Sequence, residues 1–159
     1  MKELVLDTSS QILFVNIVID GIVKYSIISE GKNNHSDNLL KFIEDGFKEL
    51  DLNIRDMDRI VCGYGPGMYT GLRVSLTVAK MFAWTLNIPL YVISSLDLLS
   101  SGYFKEDNVY SIMIKAKKDY SYTKRIKVLN NEIIVLKEEE FMNNDEFMNF
   151  VSDGDIIID

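Results

Sequence analysis

Cysteine, histidine and proline are scarce in this 159-residue chain, which has one Cys, one His and two Pro. A single thiol, Cys62, can form no internal disulfide. It closes the segment Arg59-Ile60-Val61-Cys62, which reads as a buried strand, where a thiol behaves as a small hydrophobe. One imidazole, His35, cannot build a histidine metal cluster and is a thin basis for a Ser-His-Asp triad; no Gly-x-Ser-x-Gly motif occurs either. No apolar run approaches the ~20 residues of a membrane-spanning helix. The N-terminus shows no basic, apolar, small-residue leader, so a cytoplasmic protein with no membrane partner is expected. Positive charge is in deficit as well. Lys and Arg number 17 against 24 Asp and Glu, a net charge of −7 that lacks the basic footprint of a stand-alone nucleic-acid binder.

What the chain does have is apolar residues, 47% of the total, enough for one or two compact lobes with a real core. It also has one concentration of glycine. Gly63-Tyr64-Gly65-Pro66-Gly67-Met68-Tyr69-Thr70-Gly71-Leu72-Arg73 runs from the Arg59–Cys62 strand into an apolar helix. Gly65, Gly67 and Gly71 can take positive φ or admit another backbone closely, and Pro66 fixes its own φ. Such a turn puts backbone N–H groups at the positive end of a helix, which suits a phosphate or the docking of another strand of chain. No Gly-Lys-Ser/Thr follows, so it is not a Walker loop, and the Gly-x-Gly-x-x-Gly dinucleotide spacing is absent. On spacing alone, a structural turn seating a helix on a sheet is the simpler reading.

Around this turn the pattern gives strands at Leu4–Leu6, Ile12–Ile19 and Ile22–Ser29, with Asp20-Gly21 as a two-residue hairpin turn and a loop over 30–34. A helix follows from Asp37 to Leu50, capped by Ser36, with His35 capping or packing at its start. Its apolar residues Leu39, Leu40, Phe42, Ile43 and Phe47 recur with helical period. Gly46 in mid-helix points to close packing or to simple drift. The helix after the glycine turn, Leu72–Leu86, is apolar almost all round, with Arg73, Thr77 and Lys80 as a narrow polar stripe. Such a helix is either deep in a core or covered by a partner. The surface expected for a partner is therefore Leu39, Leu40, Phe42, Ile43 and Phe47 with Leu72, Ser75, Val78, Ala79 and Phe82. A strand at Ile88–Ile93 and a short helix to Ser100 complete a first lobe, 1–103. The second, 104–159, reads as strands Val109–Ile114, Ser121–Leu129 and Glu132–Lys137, an Asn130-Asn131 turn, a helix at Asn144–Val151 and a strand at Asp155–Ile158. Glu138-Glu139-Glu140 reads as a solvated acidic run.

Gly65-Pro66-Gly67-Met68-Tyr69-Thr70-Gly71-Leu72-Arg73 resembles the Gly-Pro-Gly-Ser-Phe-Thr-Gly-Leu-Arg signature of the TsaB (YeaZ-like) proteins, and Gly65, Pro66, Gly67, Thr70, Gly71 and Arg73 are the matching positions. Leu4-Val5-Leu6-Asp7-Thr8-Ser9 resembles that family's first strand, His35-Ser36 its His-Ser-Glu segment, and Ile88-Pro89-Leu90 with Ser94–Leu99 its Ile-Pro-Val and Ser-Ser-Leu-Glu segments. The resemblance covers about the first hundred residues. It implies an α/β, actin-like ATPase (ribonuclease-H-like) fold of two lobes with mixed sheets, the second lobe short or truncated.

The resemblance also sets expectations for chemistry. In TsaD-like relatives, two histidines of an Asn-His-Leu-Glu-Gly-His segment hold a metal; Ser95 and Leu99 occupy those positions here, and neither suits a transition ion. The expected role is a non-catalytic scaffold in N6-threonylcarbamoyladenosine formation at position 37 of tRNA. Its partners would be a TsaD-like catalytic subunit and a TsaE-like ATPase, with a homodimer when alone and tRNA reached only through the complex. No cofactor is then required. Asp7, Thr8 and Ser9 are compatible with a vestigial cleft for weak ATP or ADP binding, and read more simply as a polar turn. The rival from another class is a small actin-like kinase or ATPase using Asp7. A third reading takes Lys115, Lys117, Lys118, Lys124, Arg125 and Lys127, interleaved with Tyr120 and Tyr122, as a direct tRNA contact; a solvated strand edge guarded by lysines is the simpler account.

Overall fold

The computed structural model describes residues 1–30 and 35–158, the side chains of Glu30 and residues 35–37 excepted. The chain divides into two compact units, Met1–Ser95 and Leu96–Asp159.

In the first unit, β1 (Lys2–Asp7), β2 (Ile12–Ile19) and β3 (Ile22–Glu30) form an antiparallel meander. Asp20 and Gly21 both have positive φ, 50° and 77°, the twist that a two-residue hairpin needs. Helix α1 (His35–Glu49) leads to β4 (Arg59–Gly63), which lies parallel to β1; α2 (Tyr69–Leu86) leads to β5 (Leu90–Ile93), parallel to β4. The sheet order is β3-β2-β1-β4-β5. Leu4 faces Ile17 on one side and Ile60 on the other, and Leu6 faces Val15 and Cys62. All six are fully buried in one cluster with Leu39, Ile43 and Phe47 of α1 and Ala79 and Ala83 of α2. Burying each large aliphatic side chain there stabilises the fold by about 1.5–3 kcal/mol. Asn87 ends α2 at φ 53°, and its N–H reaches the Ala83 and Trp84 carbonyls. Gly46 is explained by close packing: a Cβ there would lie 2.6 Å from the Tyr25 ring.

The second unit opens with α3 (Ser95–Ser100), whose Leu96 joins Tyr110, Ile112, Ile114, Ile126 and Val128 in a separate core. That packing sets the division at Ser95/Leu96 rather than after residue 103. Strands β6 (Asn108–Lys117), β7 (Tyr120–Leu129) and β8 (Glu132–Asn143) form another antiparallel meander. Asn130 and Asn131 take φ of 52° and 64° at its tight turn. After α4 (Asn144–Met148), β9 (Ile156–Ile158) returns parallel to β6, giving the order β8-β7-β6-β9. Each unit thus winds a three-strand meander, a helix and a parallel fourth strand in the same 3-2-1-4 sequence.

Several expectations need correction. α1 begins at His35, so Ser36 lies inside its first turn; Glu30, expected in a loop, ends β3, and residues 31–34 and the side chains of His35 and Ser36 lie outside the described residues. β5 starts at Leu90 because Pro89 has no N–H to give the ladder, although its carbonyl accepts from Ile60 N at 3.0 Å. Glu138–Glu140 is part of β8, with Glu138 and Glu140 exposed to solvent as expected and Glu139, half-buried, 3.7 Å from Lys124. The basic cluster does not sit on a strand edge: β7 is an inner strand.

Candidate functional site

Parallel strands place their C-terminal ends on one edge of a sheet, and here that edge gathers the residues with chemistry. β1 ends at Asp7, β4 beside it at Gly63, and β5 leads through Ser94 to Ser95. The Asp7 carboxylate is fully buried. Its Oδ1 accepts from Ser9 N at 2.7 Å and Ser9 Oγ at 2.6 Å; its Oδ2 accepts from Ser95 Oγ at 2.6 Å. Ser95 Oγ in turn accepts from Gly65 N at 3.0 Å, while Ser95 N donates to Gly65 O at 2.8 Å. The aspartate, the glycine turn and the start of α3 form one hydrogen-bonded unit.

The glycine turn is seated on the β1–β2 turn. Met68 N donates to Ser9 O at 2.5 Å, and Thr8 Oγ1 donates to Gly71 O at 2.6 Å. A Cβ on Gly67 would lie 2.3 Å from Ser9 O, one on Gly71 1.8 Å from Thr8 O, and one on Gly63 1.6 Å from Asp7 Oδ2. The glycines are there because another stretch of the same chain occupies the space a side chain would need. Gly65 alone of the turn has the left-handed φ, 111°, that glycine favours. The N-terminal end of α2, with no side-chain cap of its own, is met by the Ser9 carbonyl instead of a phosphate.

Of the other signature positions, Thr70 and Arg73 are exposed, and the Arg73 guanidinium lies 5.5 Å from the Tyr69 ring centroid. Ser95 donates to Asp7, and Leu99 packs against the second unit's core. Among the described residues no three His, Cys, Asp or Glu side chains converge as metal ligands. Cys62, directly before Gly63, is fully buried, and burial pushes its thiol up to about 12.

The helical face divides differently from expectation. Leu39, Ser75 and Ala79 are fully buried in the unit's own core, while Ile43 and Phe47, mostly buried there too, also line a groove at the surface. They lie on the sides of α1 and α2 turned to the sheet, where small Ser75 and Ala79 let α2 approach closely. Phe42, Leu72, Val78 and Phe82 are half-buried. Leu40, Met81 and Trp84 are exposed, Trp84 at 89%. Leu40, Phe82, Leu52 and Ile54 line an open apolar groove beside α1. Trp84 and Met81 were missing from the expected surface because a helix apolar all round does not announce which side meets its sheet.

The basic cluster is also divided. Lys124 is buried, with Nζ 2.6 and 2.7 Å from the two Asp97 carboxylate oxygens. Arg125 donates to Asp155 Oδ2 at 2.6 Å, and Asp155 accepts from Ser111 at 3.1 Å as well. Burial acts to raise the Asp155 carboxyl, but these donors outweigh it and hold the group below its usual range. Only Lys115, Lys117 and Lys118 stand clear in solvent.

Two units wound in the same order, with an aspartate at the end of the first strand opposite a glycine turn, define the actin-like ATPase fold. A family model described as "TsaD: tRNA N6-adenosine threonylcarbamoyltransferase" matches residues 27–159. The tRNA threonylcarbamoyladenosine biosynthesis protein TsaB of Bacillus subtilis is 32% identical over 123 residues, 77% of this chain and 54% of that protein. The tRNA N6-adenosine threonylcarbamoyltransferase of Clostridioides difficile is 32% identical over 76 residues, 47% of this chain and 22% of that one. YeaZ from Pseudomonas aeruginosa superimposes with a TM-score of 0.80 at 25% identity, covering 89% of this chain and 67% of that structure. The chain belongs to the TsaB (YeaZ-like) family. It spans about half the length of curated TsaB relatives such as that of Bacillus subtilis.

Proposed function

We propose that this protein serves tRNA N6-threonylcarbamoyladenosine formation at position 37 as a non-catalytic subunit that docks on and supports a TsaD-like catalytic subunit. The observation that carries this reading is the closed glycine turn. The Asp7 carboxylate has a donor on each oxygen, and the Thr8 and Ser9 carbonyls fill the space over Gly71 and Gly67. A phosphate or Mg²⁺ would have to displace the protein's own backbone. The edge that runs chemistry in an active relative of this fold acts here to fix α2 on its sheet, and α2 then presents Phe82 to the groove that Leu40 lines, with Met81 and Trp84 exposed on another side of the helix. In this reading no cofactor is required, a TsaE-like ATPase joins the pair, the chain alone forms a homodimer through the same face, and tRNA is met in the complex. The place of work is the cytoplasm; among the described residues no helix is long and apolar enough to cross a membrane.

The test is light scattering on a sizing column, with the chain alone and mixed with the TsaD-like protein of the same genome. A stable mixed complex, lost in Phe82→Glu and in Trp84→Glu, supports the reading. A folded chain that ignores that partner at micromolar concentration overturns it. Calorimetric titration with Mg²⁺–ATP runs alongside: tight binding abolished by Asp7→Asn would point to an ATP-dependent enzyme instead.

A further inference from the structure

The second unit leaves one edge of its sheet open. β8 ends the order β8-β7-β6-β9, so its outer row of backbone N–H and C=O groups faces no strand among the described residues. Edge strands are ordinarily short, charged or interrupted. The first half of β8 is none of these: Ile133, Ile134, Val135 and Leu136 follow one another, and all four are 42–58% exposed. Register assigns them to both faces of the sheet. Ile133 and Val135 lie opposite Val128 and Ile126 and continue the core face past its last buried row, while Ile134 lies opposite Lys127 on the other face. There exposed Phe150 adds apolar surface, its ring centroid 4.8 Å from Lys137 Nζ. The remaining edge strands differ. β3 interrupts its apolar residues with Lys24 and Ser26, β5 has four residues and β9 three.

The charges around the run select its occupant. Glu132 precedes it and Lys137 follows it, with Glu138, Glu139 and Glu140 beyond. When two identical strands pair antiparallel about a two-fold axis normal to the sheet, one residue lies opposite itself. With Ile134 on the axis, Ile133 meets the second copy's Val135, and Glu132 meets its Leu136. Val135 opposite Ile126 and Lys137 opposite Arg125 make Leu136 the extra residue of a bulge. Lys137 follows at once, on the same face as Glu132, which lies opposite Leu129. Each end of the pair thus sets a carboxylate beside an ammonium. Lys137 Nζ holds Glu140 with one of its three donors and keeps the others. An axis at Val135 instead sets Glu132 against Glu138, and one at Leu136 sets it against Glu140. An axis at Ile133 spends Val135 and Leu136 on the Asn130-Asn131 turn. One register alone covers the whole run with itself and opposes no like charges.

We propose that β8 pairs with β8 of a second copy of this chain, antiparallel about Ile134, joining two four-stranded sheets into one. The contact is isologous and closes at two. Its regular stretch is short, because the bulge at Leu136 ends it, so the association is weak, of about micromolar affinity or weaker. It uses no residue of α1 or α2 and does not rest on the function proposed above.

Sedimentation equilibrium of the full chain tests it, on wild type and on a Leu40→Glu/Trp84→Glu variant that charges the exposed residues of α1 and α2. A monomer–dimer equilibrium should persist in that variant. Ile134→Lys should weaken it about tenfold or more, since the new charge meets its own copy on the axis. Glu132→Lys should weaken it about threefold, and less as salt screens the repulsion from Lys137. Both positions are exposed, so circular dichroism should match wild type. Register is read by mild oxidation in a Cys62→Ala background. Ile134→Cys should cross-link to itself, and Glu132→Cys to Leu136→Cys in a mixture of the two, whereas Glu138→Cys alone should stay monomeric. A monomer at every concentration, a dimer indifferent to Ile134→Lys, or one that cross-links best through Glu138→Cys overturns the proposal. Loss of all self-association in Leu40→Glu/Trp84→Glu, with β8 intact, overturns it too. Assembly with the TsaD-like subunit is read through α1 and α2, so each test can fail without the other.

Discussion

Ser95 donates its hydroxyl hydrogen to Asp7 Oδ2 at 2.6 Å, joining residues 88 positions apart in a site from which water is excluded. Ser95 also accepts from Gly65, so one hydroxyl ties the end of β1 to the glycine turn and to the first residue of α3.

Ser95→Ala should therefore cost more than a surface serine would. It removes a hydrogen bond to a buried carboxylate and leaves the Gly65 N–H without its acceptor, a loss of about 1.5–3 kcal/mol. Urea unfolding followed by circular dichroism measures it. A midpoint unchanged from wild type would show that the latch contributes nothing to stability.

The glycines divide into those with a neighbour and those without. Gly71→Ala and Gly67→Ala place a methyl group 1.8 and 2.3 Å from the carbonyl oxygens of Thr8 and Ser9, which are backbone and cannot swing away. Each should destabilise by about 1–3 kcal/mol or more, the helix preference of alanine notwithstanding. Gly102 has nothing within 4 Å of the same added atom and no left-handed φ. Gly102→Ala should be neutral or stabilise by up to about 1 kcal/mol. Comparable melting temperatures for Gly71→Ala and Gly102→Ala would contradict the packing argument.

The sequence made the local structure legible and left the long-range structure dark. The Asp20-Gly21 turn, the Asn130-Asn131 turn, β2 and most of α2 follow from short-range preferences that nearby residues declare. The Asp7–Ser95 bond does not, since nothing at either position names the other, and Ser95 drew notice only for the ligand it is not. The same holds for Gly46, whose reason is Tyr25 in another element, and for Lys124 and Arg125, whose carboxylate partners lie on α3 and before β9. Which side of α2 is buried was illegible for a different reason. Its apolar residues run round the helix, so the period carries no direction, and the side that meets the sheet is marked by small residues, Ser75 and Ala79, rather than by hydrophobicity.

That division of α2 gives the third prediction. Trp84 is 89% exposed and Ala79 fully buried, five residues apart on one helix. Trp84→Glu should leave the melting temperature within about a degree or two of wild type, since surface substitutions rarely exceed about 0.5 kcal/mol. It should weaken the complex with the TsaD-like subunit tenfold or more, as expected of an exposed aromatic anchor. Ala79→Glu should unfold the protein or cost about 3 kcal/mol or more, because an unpaired charge enters the core. Isothermal titration beside thermal melts separates the two effects. Full affinity in folded Trp84→Glu would remove Trp84 from the docking face.

Cys62 supplies a prediction in pH. Burial pushes its thiol up to about 12, while in the unfolded chain it titrates near the ordinary thiol value of 9.0. Below pH 9 both states hold the proton, and the thiol leaves stability independent of pH. Between about 9 and 12 the unfolded chain loses the proton and the folded chain keeps it. The unfolded state then binds fewer protons, so stability falls as pH rises, by up to about 1.4 kcal/mol per unit from this group. The loss is complete once pH passes the folded value. Cys62→Ala removes the group, and the difference between its unfolding free energy and that of wild type, followed from pH 8 to pH 11, isolates the term from the tyrosines and lysines that titrate in the same range. The difference should shift with pH in favour of the alanine variant. The same burial predicts that native protein at pH 8 resists an aromatic disulfide reagent until it unfolds. A pH-independent difference together with rapid native-state labelling would mean that the strand beneath the glycine turn opens to solvent far more readily than its packing implies.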